Sequence, residues 1–329
     1  MTVELLPLVS IVLPVRNEEA FIARCLGAVL AQDYPPDRME VLVVDGMSDD
    51  ATIAVIGALP GASRVRILRN PERIQSAGLN LGIQEARGEI VVRVDGHTII
   101  APDYVRQCVL TLQETGAWNV GGAMNPEGIT PMGRAIAAAG KSAFAVPSAF
   151  HVSRAAGFTD TVYLGTWPRW VFEKIGLFST DVGVNEDYEL NVRIRQAGGG
   201  VYFSPAIRST YFGRQTLDAL FRQYYRYGQS KVRTLRRHPS SLRTRQVVAP
   251  AFVAWMVVGA PLALITPPVA VVYVTAALAY GAASLFFSLR LRSRLGWRDI
   301  WRLPIVFATI HAAWGCGFWH ELLRGGQRW

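Results

Sequence analysis

The sequence predicts an α/β domain, a mostly parallel sheet flanked by helices, followed by C-terminal helices that cross a membrane. Two observations carry this reading. Short apolar runs alternate with stretches of helical periodicity in the first part of the chain, and three long stretches near the C-terminus are almost without charge. A chain of 329 residues can form one large domain or two. Its uneven hydropathy favours two unlike parts.

In order along the chain, "VSIVLPV" (9–15), "EVLVVD" (40–45), "RVRILR" (64–69) and "EIVVRVD" (89–95) read as strands. The opening "LLPLVSIVLPV" has neither the basic leader nor the small-residue cleavage site of a signal peptide, so it is assigned to the first strand. Helical patterns fill 18–31, 50–58 and 75–86, with Gly88 just beyond the last. Such a β-α-β-α succession favours parallel strands covered on both faces. "NEDYELNVRIRQAGG" predicts a helix with Asn185 as N-cap, Leu190 and Ile194 on one face, and Gly198 as its stop. In "LDALFRQYYRYGQSKVRTLRRH", Leu217, Leu220, Phe221, Tyr224 and Gly228 fall at helical spacing among basic residues. A basic amphipathic helix beside a membrane span usually lies along the lipid surface. Segments 247–266, 269–289 and 303–323 are each long enough to cross a hydrocarbon core of roughly 30 Å. The expected organisation is a soluble domain over 1–213, a basic interfacial region over 214–246, and three spans within 247–323.

The net charge is +9, but its distribution argues against nucleic acid. Arg222, Arg226, Lys231, Arg233, Arg236, Arg237, Arg243 and Arg245 precede the first span, and Arg290, Arg292, Arg294, Arg298 and Arg302 separate the second from the third. Three spans running out, in and out put both clusters on one side, and the positive-inside rule makes that side the cytoplasm. The expectation is a multi-pass protein of the cytoplasmic (inner) membrane with its soluble domain in the cytoplasm. Cys25, Cys108 and Cys316 are far apart and form no C-x-x-C pair, which supports neither a disulfide framework nor a zinc site.

Ligands of parallel sheets bind beyond the carboxyl ends of the strands. The dinucleotide and P-loop fingerprints are both missing. Polar residues stand instead at three strand ends, in "PVRNEE", "VDGMSDDAT" and "VDGHT". Each alone could be an ordinary turn. Together with "NPERIQSAGLNLGIQEARGEIVVRVDGHT", "NEDYELNVRIRQAGG" and "RQYYRYG", they resemble the successive motifs of GT-A fold, family 2 inverting glycosyltransferases, and the whole is most similar to the ExoA-like succinoglycan-biosynthesis type. The likeness covers roughly residues 8–230.

This resemblance implies a UDP-sugar donor and assigns roles. Asp45 would bind the base, since its carboxylate can accept from the N3–H of uracil; Ser48 stands beside it, and the plain alternative for both is a turn. Pro14, Arg16, Asn17 and Glu18 match the segment enclosing base and ribose, with Arg16 where an aromatic is common; a guanidinium plane also stacks. The family's D-x-D becomes D-G-H here, so Asp95 and His97 occupy the ribose and metal positions. His97 could be a metal ligand or a hydrogen-bonding residue near the phosphates. Imidazole suits Mn²⁺ better than Mg²⁺, so Mn²⁺ is favoured. Glu186 and Asp187 match the E-D motif, with Asp187 as general base; first-turn acids that stabilise a helix dipole are the alternative. Gln223, Arg226 and Tyr227 match Q-x-x-R-W with Tyr for Trp, which gives Arg226 the diphosphate and Tyr227 the acceptor channel. Trp167 is placed either at the acceptor side or in packing. His151 and His238 read as polar surface residues.

The expected activity is transfer of a single sugar, glucose, from UDP-glucose to a polyprenyl-diphosphate-linked acceptor in exopolysaccharide or cell-envelope glycan assembly, beside membrane lipids and other assembly proteins. A polyprenyl-phosphate monoglycosyltransferase, a processive synthase and a non-catalytic membrane-bound partner subunit are the alternatives.

Overall fold

The computed structural model describes residues 6–145, 155–181 and 184–324. The chain forms two compact units, Met1–Asn125 with Ser153–Tyr211, and Pro126–Val152 with Phe212–Trp329. Hydropathy gave no sign that the 126–152 segment groups with the C-terminal helices.

The first unit is built on a nine-stranded sheet. Its strands are β1 (Val9–Val15), β2 (Met39–Asp45), β3 (Val65–Arg69), β4 (Ile90–Arg93), β5 (Thr98–Ile100), β6 (Asn119–Glu127), β7 (Gly157–Phe158), β8 (Tyr163–Pro168) and β9 (Val201–Phe212). The order is β3-β2-β1-β4-β8-β6-β9-β5, with β7 on β9. β1 pairs in parallel with β2 and β4, and β2 with β3, as the alternation predicts. Beyond β4 the sheet turns antiparallel: β8 on β4, β6 on β8, and β5 and β7 on β9. The sheet is therefore mixed, parallel from β3 to β4 and antiparallel in those pairings beyond it.

Every residue of β1 is buried, as expected of a parallel strand covered on both faces. Helix α1 (Ile22–Leu30) buries Ile22, Cys25, Leu26 and Val29, an i, i+3, i+4, i+7 stripe. Helices α2 (Thr52–Gly57), α3 (Gln75–Glu85), α4 (Tyr104–Thr115) and, after α5 of the second unit, α6 (Trp170–Ile175) and α7 (Glu186–Gln196) follow. α3 has a weak apolar stripe and packs instead through small residues. A β-carbon on its Gly82 would overlap the Val12 side chain, so glycine there lets the helix lie close to β1. Asn185 does precede α7, but at φ 60° and without a side-chain cap. The dipole of α7 is met instead by Glu186, Asp187 and Glu189 in its first turn.

The second unit holds α5 (Pro131–Gly140), α8 (Leu217–Arg237), α9 (Val248–Ile265), α10 (Pro267–Arg290), α11 (Arg292–Leu295) and α12 (Arg302–Leu323). Its core joins Ala135, Ile136 and Ala139 of α5 to Leu220, Leu303, Val306, Phe307 and Ile310. α9 and α10 are long and apolar enough to cross a membrane, with mean hydropathies of 2.1 and 1.9 and only 11% and 6% of those stretches buried within the protein. Their length and hydropathy are those of a membrane span. The third stretch expected to span, α12, is a 22-residue helix with a different environment: it buries Leu303, Val306, Phe307, Ile310, Ala313, Gly315, Gly317 and Glu321 against protein.

Candidate active site

The parallel strands end together, with Val15 of β1 opposite Asp45 of β2. Pro14, one residue before, pairs in register with Val44. The loops that follow are latched to each other. Asp45 is buried and accepts from the Ser48 hydroxyl at 2.6 Å and the Ser48 N–H at 3.1 Å. Ser48 Oγ in turn accepts the Asn17 N–H at 3.0 Å. Asn17 Nδ2 donates to Asp49 Oδ1 at 2.6 Å, and its Oδ1 accepts the Asp49 N–H at 3.0 Å. Asn17 and Met47 both hold left-handed backbone, at φ 56° and 59°. Such a conformation is uncommon for non-glycine residues and persists where the surroundings fix it. Arg16 is exposed and reaches the Arg73 carbonyl at 3.5 Å.

Arg93 is the centre of the site. β4 carries this charge in an otherwise apolar, fully buried strand. Its Nε and Nη2 donate to the two oxygens of Asp95 at 2.8 and 3.2 Å, and its Nη1 donates to Glu186 Oε1 at 3.0 Å. One guanidinium therefore ties the strand end bearing D-G-H to the start of α7. Gln75 Nε2 adds a bond to Asp95 Oδ1 at 3.1 Å. Burial alone would raise the Asp95 carboxyl, but the adjacent guanidinium outweighs it and holds the group below the ordinary aspartate value. Burial prevails at Glu186 and Asp187: both carboxyls are raised, with Arg93 acting against the rise. Asp187 accepts the N–H of Tyr188 at 2.8 Å.

Gly96 has a local reason. A β-carbon there would stand 2.9 Å from Glu18 Cγ, so glycine lets the Glu18 side chain cross the loop. Glu18 Oε1 then meets His97 Nδ1 at 2.8 Å. The His97 ring also stands edge-on to Tyr211 with centroids 5.2 Å apart, and Tyr211 lies 5.8 Å from Tyr163. Tyr163 shares a 2.6 Å hydrogen bond with Thr98.

Among the described residues no group of three or more His, Cys, Asp or Glu side chains could hold a metal ion alone. The chemistry of Asp95 nevertheless fits a cation whose other ligands come from substrate. A carboxylate accepts about four hydrogen bonds, and Arg93 and Gln75 donate three to Asp95. Asp95 thus keeps acceptor capacity on Oδ2 for a divalent ion, an oxygen donor of the kind Mg²⁺ and Mn²⁺ take.

On α8, Gln223 Nε2 donates to the Tyr227 hydroxyl at 2.9 Å. Arg226 is exposed and lines a shallow groove with Phe221, Arg222, Tyr225 and Gln229. Trp167, offered above for the acceptor side, is 1% exposed. It lies in β8 against Phe172 and Phe178, at 5.5 and 5.7 Å, so it is a packing residue. His238 closes the C-terminal end of α8, and His151 lies outside the described residues. The motif reading missed Arg93, Gln75, Tyr163 and Tyr211. For Arg93 a signal existed: a charge inside "IVVRVD" must find a partner, because burying it alone is prohibitive.

Carboxylates and a latched pair of loops at the strand ends of an α/β unit stand where such sheets bind their ligands, and sequence comparison gives the family. Residues 90–289 match the family described as Glycosyl transferase family group 2, and residues 10–132 match Glycosyl transferase family 2. The chain belongs to glycosyltransferase family 2. It is 31% identical to the succinoglycan biosynthesis protein ExoA of Rhizobium meliloti (strain 1021) over 321 residues, 95% of this chain and 94% of that protein. It is 30% identical over 236 residues to the dolichyl N-acetyl-alpha-D-glucosaminyl phosphate 3-beta-D-2,3-diacetamido-2,3-dideoxy-beta-D-glucuronosyltransferase of Methanococcus voltae, 68% of this chain and 72% of that one. The mannosyltransferase PcManGT from Pyrobaculum calidifontis, solved with GDP-Man and Mn²⁺, has a similar fold: TM-score 0.62 at 22% identity, covering 98% of this chain and 89% of that one. The fold is the GT-A type expected from the motifs.

Proposed function

We propose that the chain is a membrane-anchored inverting glycosyltransferase that moves one sugar, glucose, from a UDP-sugar to a polyprenyl-diphosphate-linked acceptor in exopolysaccharide assembly. The observation that carries it is the Arg93 bridge. It holds the donor-side carboxylate Asp95 and the E-D motif in one rigid, buried arrangement, the preorganisation a displacement reaction needs. The Rhizobium relative's role in succinoglycan biosynthesis supports the polysaccharide context, and the dolichyl phosphate in the Methanococcus relative's name supports a lipid-linked acceptor.

In this reading Asp45, steadied by Ser48, accepts the imide N–H of uracil, and Pro14, Arg16, Asn17 and Glu18 enclose base and ribose. Asp187 takes the proton of the acceptor hydroxyl as its oxygen attacks the anomeric carbon; the raised proton affinity that burial gives Asp187 makes it a stronger base. Glu186, fixed by Arg93, orients the start of α7. Gln223 and Arg226 bind the diphosphate, and Tyr227 lines the acceptor path, the roles of the matching family element. A divalent cation at Asp95, with His97 beside it, would supply positive charge to the departing UDP; Mn²⁺ is favoured over Mg²⁺. α9 and α10 anchor the protein in the cytoplasmic membrane, with residues 1–213 in the cytoplasm and the basic residues of 214–246 at the lipid surface.

The test is transfer of labelled sugar from a panel of UDP-sugars to a lipid extract, with membranes carrying the wild type or Asp187→Asn. Lipid-linked product from UDP-glucose that disappears in the variant is expected. Product that persists undiminished in Asp187→Asn would overturn the mechanism.

A further inference from the structure

The helices α8 and α12 lie side by side and run in the same direction. A β-carbon on Gly228 would overlap the Trp314 carbonyl, and one on Gly317 would overlap the Tyr225 carbonyl. The two backbones are therefore in direct contact. Further along, Gln229 Nε2 meets His320 Nδ1 at 3.0 Å. Arg233 then grips both oxygens of Glu321 at 3.1 and 3.2 Å, and Arg236 Nη2 donates to the Glu321 carbonyl at 2.7 Å. At the other end Leu220 shares a core with Leu303, Val306 and Phe307. Residue numbers rise together on both helices, so whatever depth one occupies the other shares.

α8 has 21 residues and carries Arg222, Arg226, Lys231, Arg233, Arg236 and Arg237. If α12 crossed a bilayer, α8 would be drawn through it alongside, with the exposed Arg222 and Arg226 facing lipid. Charged side chains at that depth are strongly disfavoured. Laid flat, the same pair suits the interface, where basic residues meet anionic headgroups. Trp297 and Trp301, just before α12, are 69% and 57% exposed, and exposed tryptophans favour the headgroup level. α9 and α10 differ: Leu264, Ile265, Val271 and Leu278 are 88%, 77%, 67% and 69% exposed. Phe252 of α9 stacks on Tyr280 of α10 at 4.7 Å, and Trp255 lies 6.5 Å from Tyr273, which makes the two helices an antiparallel hairpin.

We infer that α12 does not cross the membrane but lies on its surface beside α8, and that among the described residues the α9–α10 hairpin is the only inserted element. The hairpin returns the chain to the side it left, so Arg243 before it, Arg292 after it and Arg324 at the end of α12 all face one side. Two insertions replace the three spans expected from hydropathy. This rests on the membrane reading above and specifies its topology.

Cys316 is the one exposed cysteine among the described residues. In a Cys316→Ser background, single Arg292→Cys and Arg324→Cys variants of the full chain are treated with a membrane-impermeant maleimide, in spheroplasts and in inverted vesicles of a bacterial host. Labelling of both in inverted vesicles and of neither in spheroplasts is expected. Labelling of the two from opposite sides would overturn the inference, because α12 would then cross. Labelling of both only in spheroplasts would keep the surface helix and overturn the cytoplasmic orientation. Release of the protein by an alkaline carbonate wash would overturn the inserted hairpin.

Discussion

The two units solve opposite solvent problems. In the first, ionisable groups are carried inward: Arg93, Asp95 and Glu186 are 6%, 8% and 4% exposed. In the second, apolar groups are turned outward along α9 and α10 while a basic helix is packed against protein. Buried charge is tolerable only when each member is paired and hydrogen-bonded. Exposed apolar surface is tolerable only when something other than water covers it. The comparison teaches where each unit is vulnerable: the first to loss of one charge, the second to loss of whatever covers α9 and α10.

The sharpest break in the comparison falls at Asp187. Asp187→Asn should lower transfer by about 10²–10⁴-fold, the size of a general-base contribution, while UDP binding measured by calorimetry stays nearly unchanged. Its pH behaviour separates chemistry from folding. Burial raises this carboxyl, so the folded protein binds its proton more tightly than the unfolded chain. Stability tied to the group is complete below the unfolded value and is lost as pH rises through the folded one. Activity, which needs the carboxylate, does the reverse and falls as pH drops through the folded value. The Asn variant should therefore not lower the unfolding midpoint at neutral pH, and a clear drop would make Asp187 a structural residue.

Removing the buried cation should cost folding instead. Arg93→Met leaves Asp95 and Glu186 without their partner, and breaking a buried pair costs about 3–5 kcal/mol. Adding Glu186→Gln should recover part of that loss. The contrast is the pair Arg222–Asp218 on α8, whose side chains are 65% and 67% exposed. Arg222→Ala should change stability by no more than about 1 kcal/mol. Equal thermal shifts in the two variants would erase the difference between the units.

Much of the first unit is legible because its signals are local. A run of β-branched residues with a polar residue at its end reports strand, direction and strand end at once, and β1 was expected over the residues it occupies. The Arg93 bridge joins residues 93 positions apart. No local period reports such a contact; only the oddity of a charge in an apolar strand does. The second unit is less legible for the converse reason. Hydropathy reports only that α12 is apolar, and it cannot see that Gly228 and Gly317 bring a basic helix against it. Trp167 was equally undecidable, because an aromatic in a strand suits a core and a binding wall alike until its neighbours are known.

A smaller effect is expected on α8 itself. Removing one donor to a developing oxyanion costs about 10²–10³-fold in turnover. Arg226→Ala should lose that much if Arg226 binds the diphosphate. Arg222→Ala, four residues earlier in the same groove, should stay near wild type at equal membrane recovery. Equal activity of the two would leave α8 with a lipid-facing role alone.

The mildest effect should come from His97. A strong chelator should stop the wild-type reaction, and Mn²⁺ should restore it better than Mg²⁺, since imidazole favours Mn²⁺ and the oxygen-loving Mg²⁺ gains little from it. His97 is held by Glu18 at 2.8 Å. His97→Asp would place a second carboxylate against Glu18, a like-charge pair that a cation relieves. The variant should therefore shift its preference toward Mg²⁺ by about tenfold, the lower end of what changes around a metal ligand produce. Its unfolding midpoint should also become metal-dependent. A changed metal preference without metal-dependent stability would mean that His97 acts on the phosphates, and no change in either would remove it from the metal site.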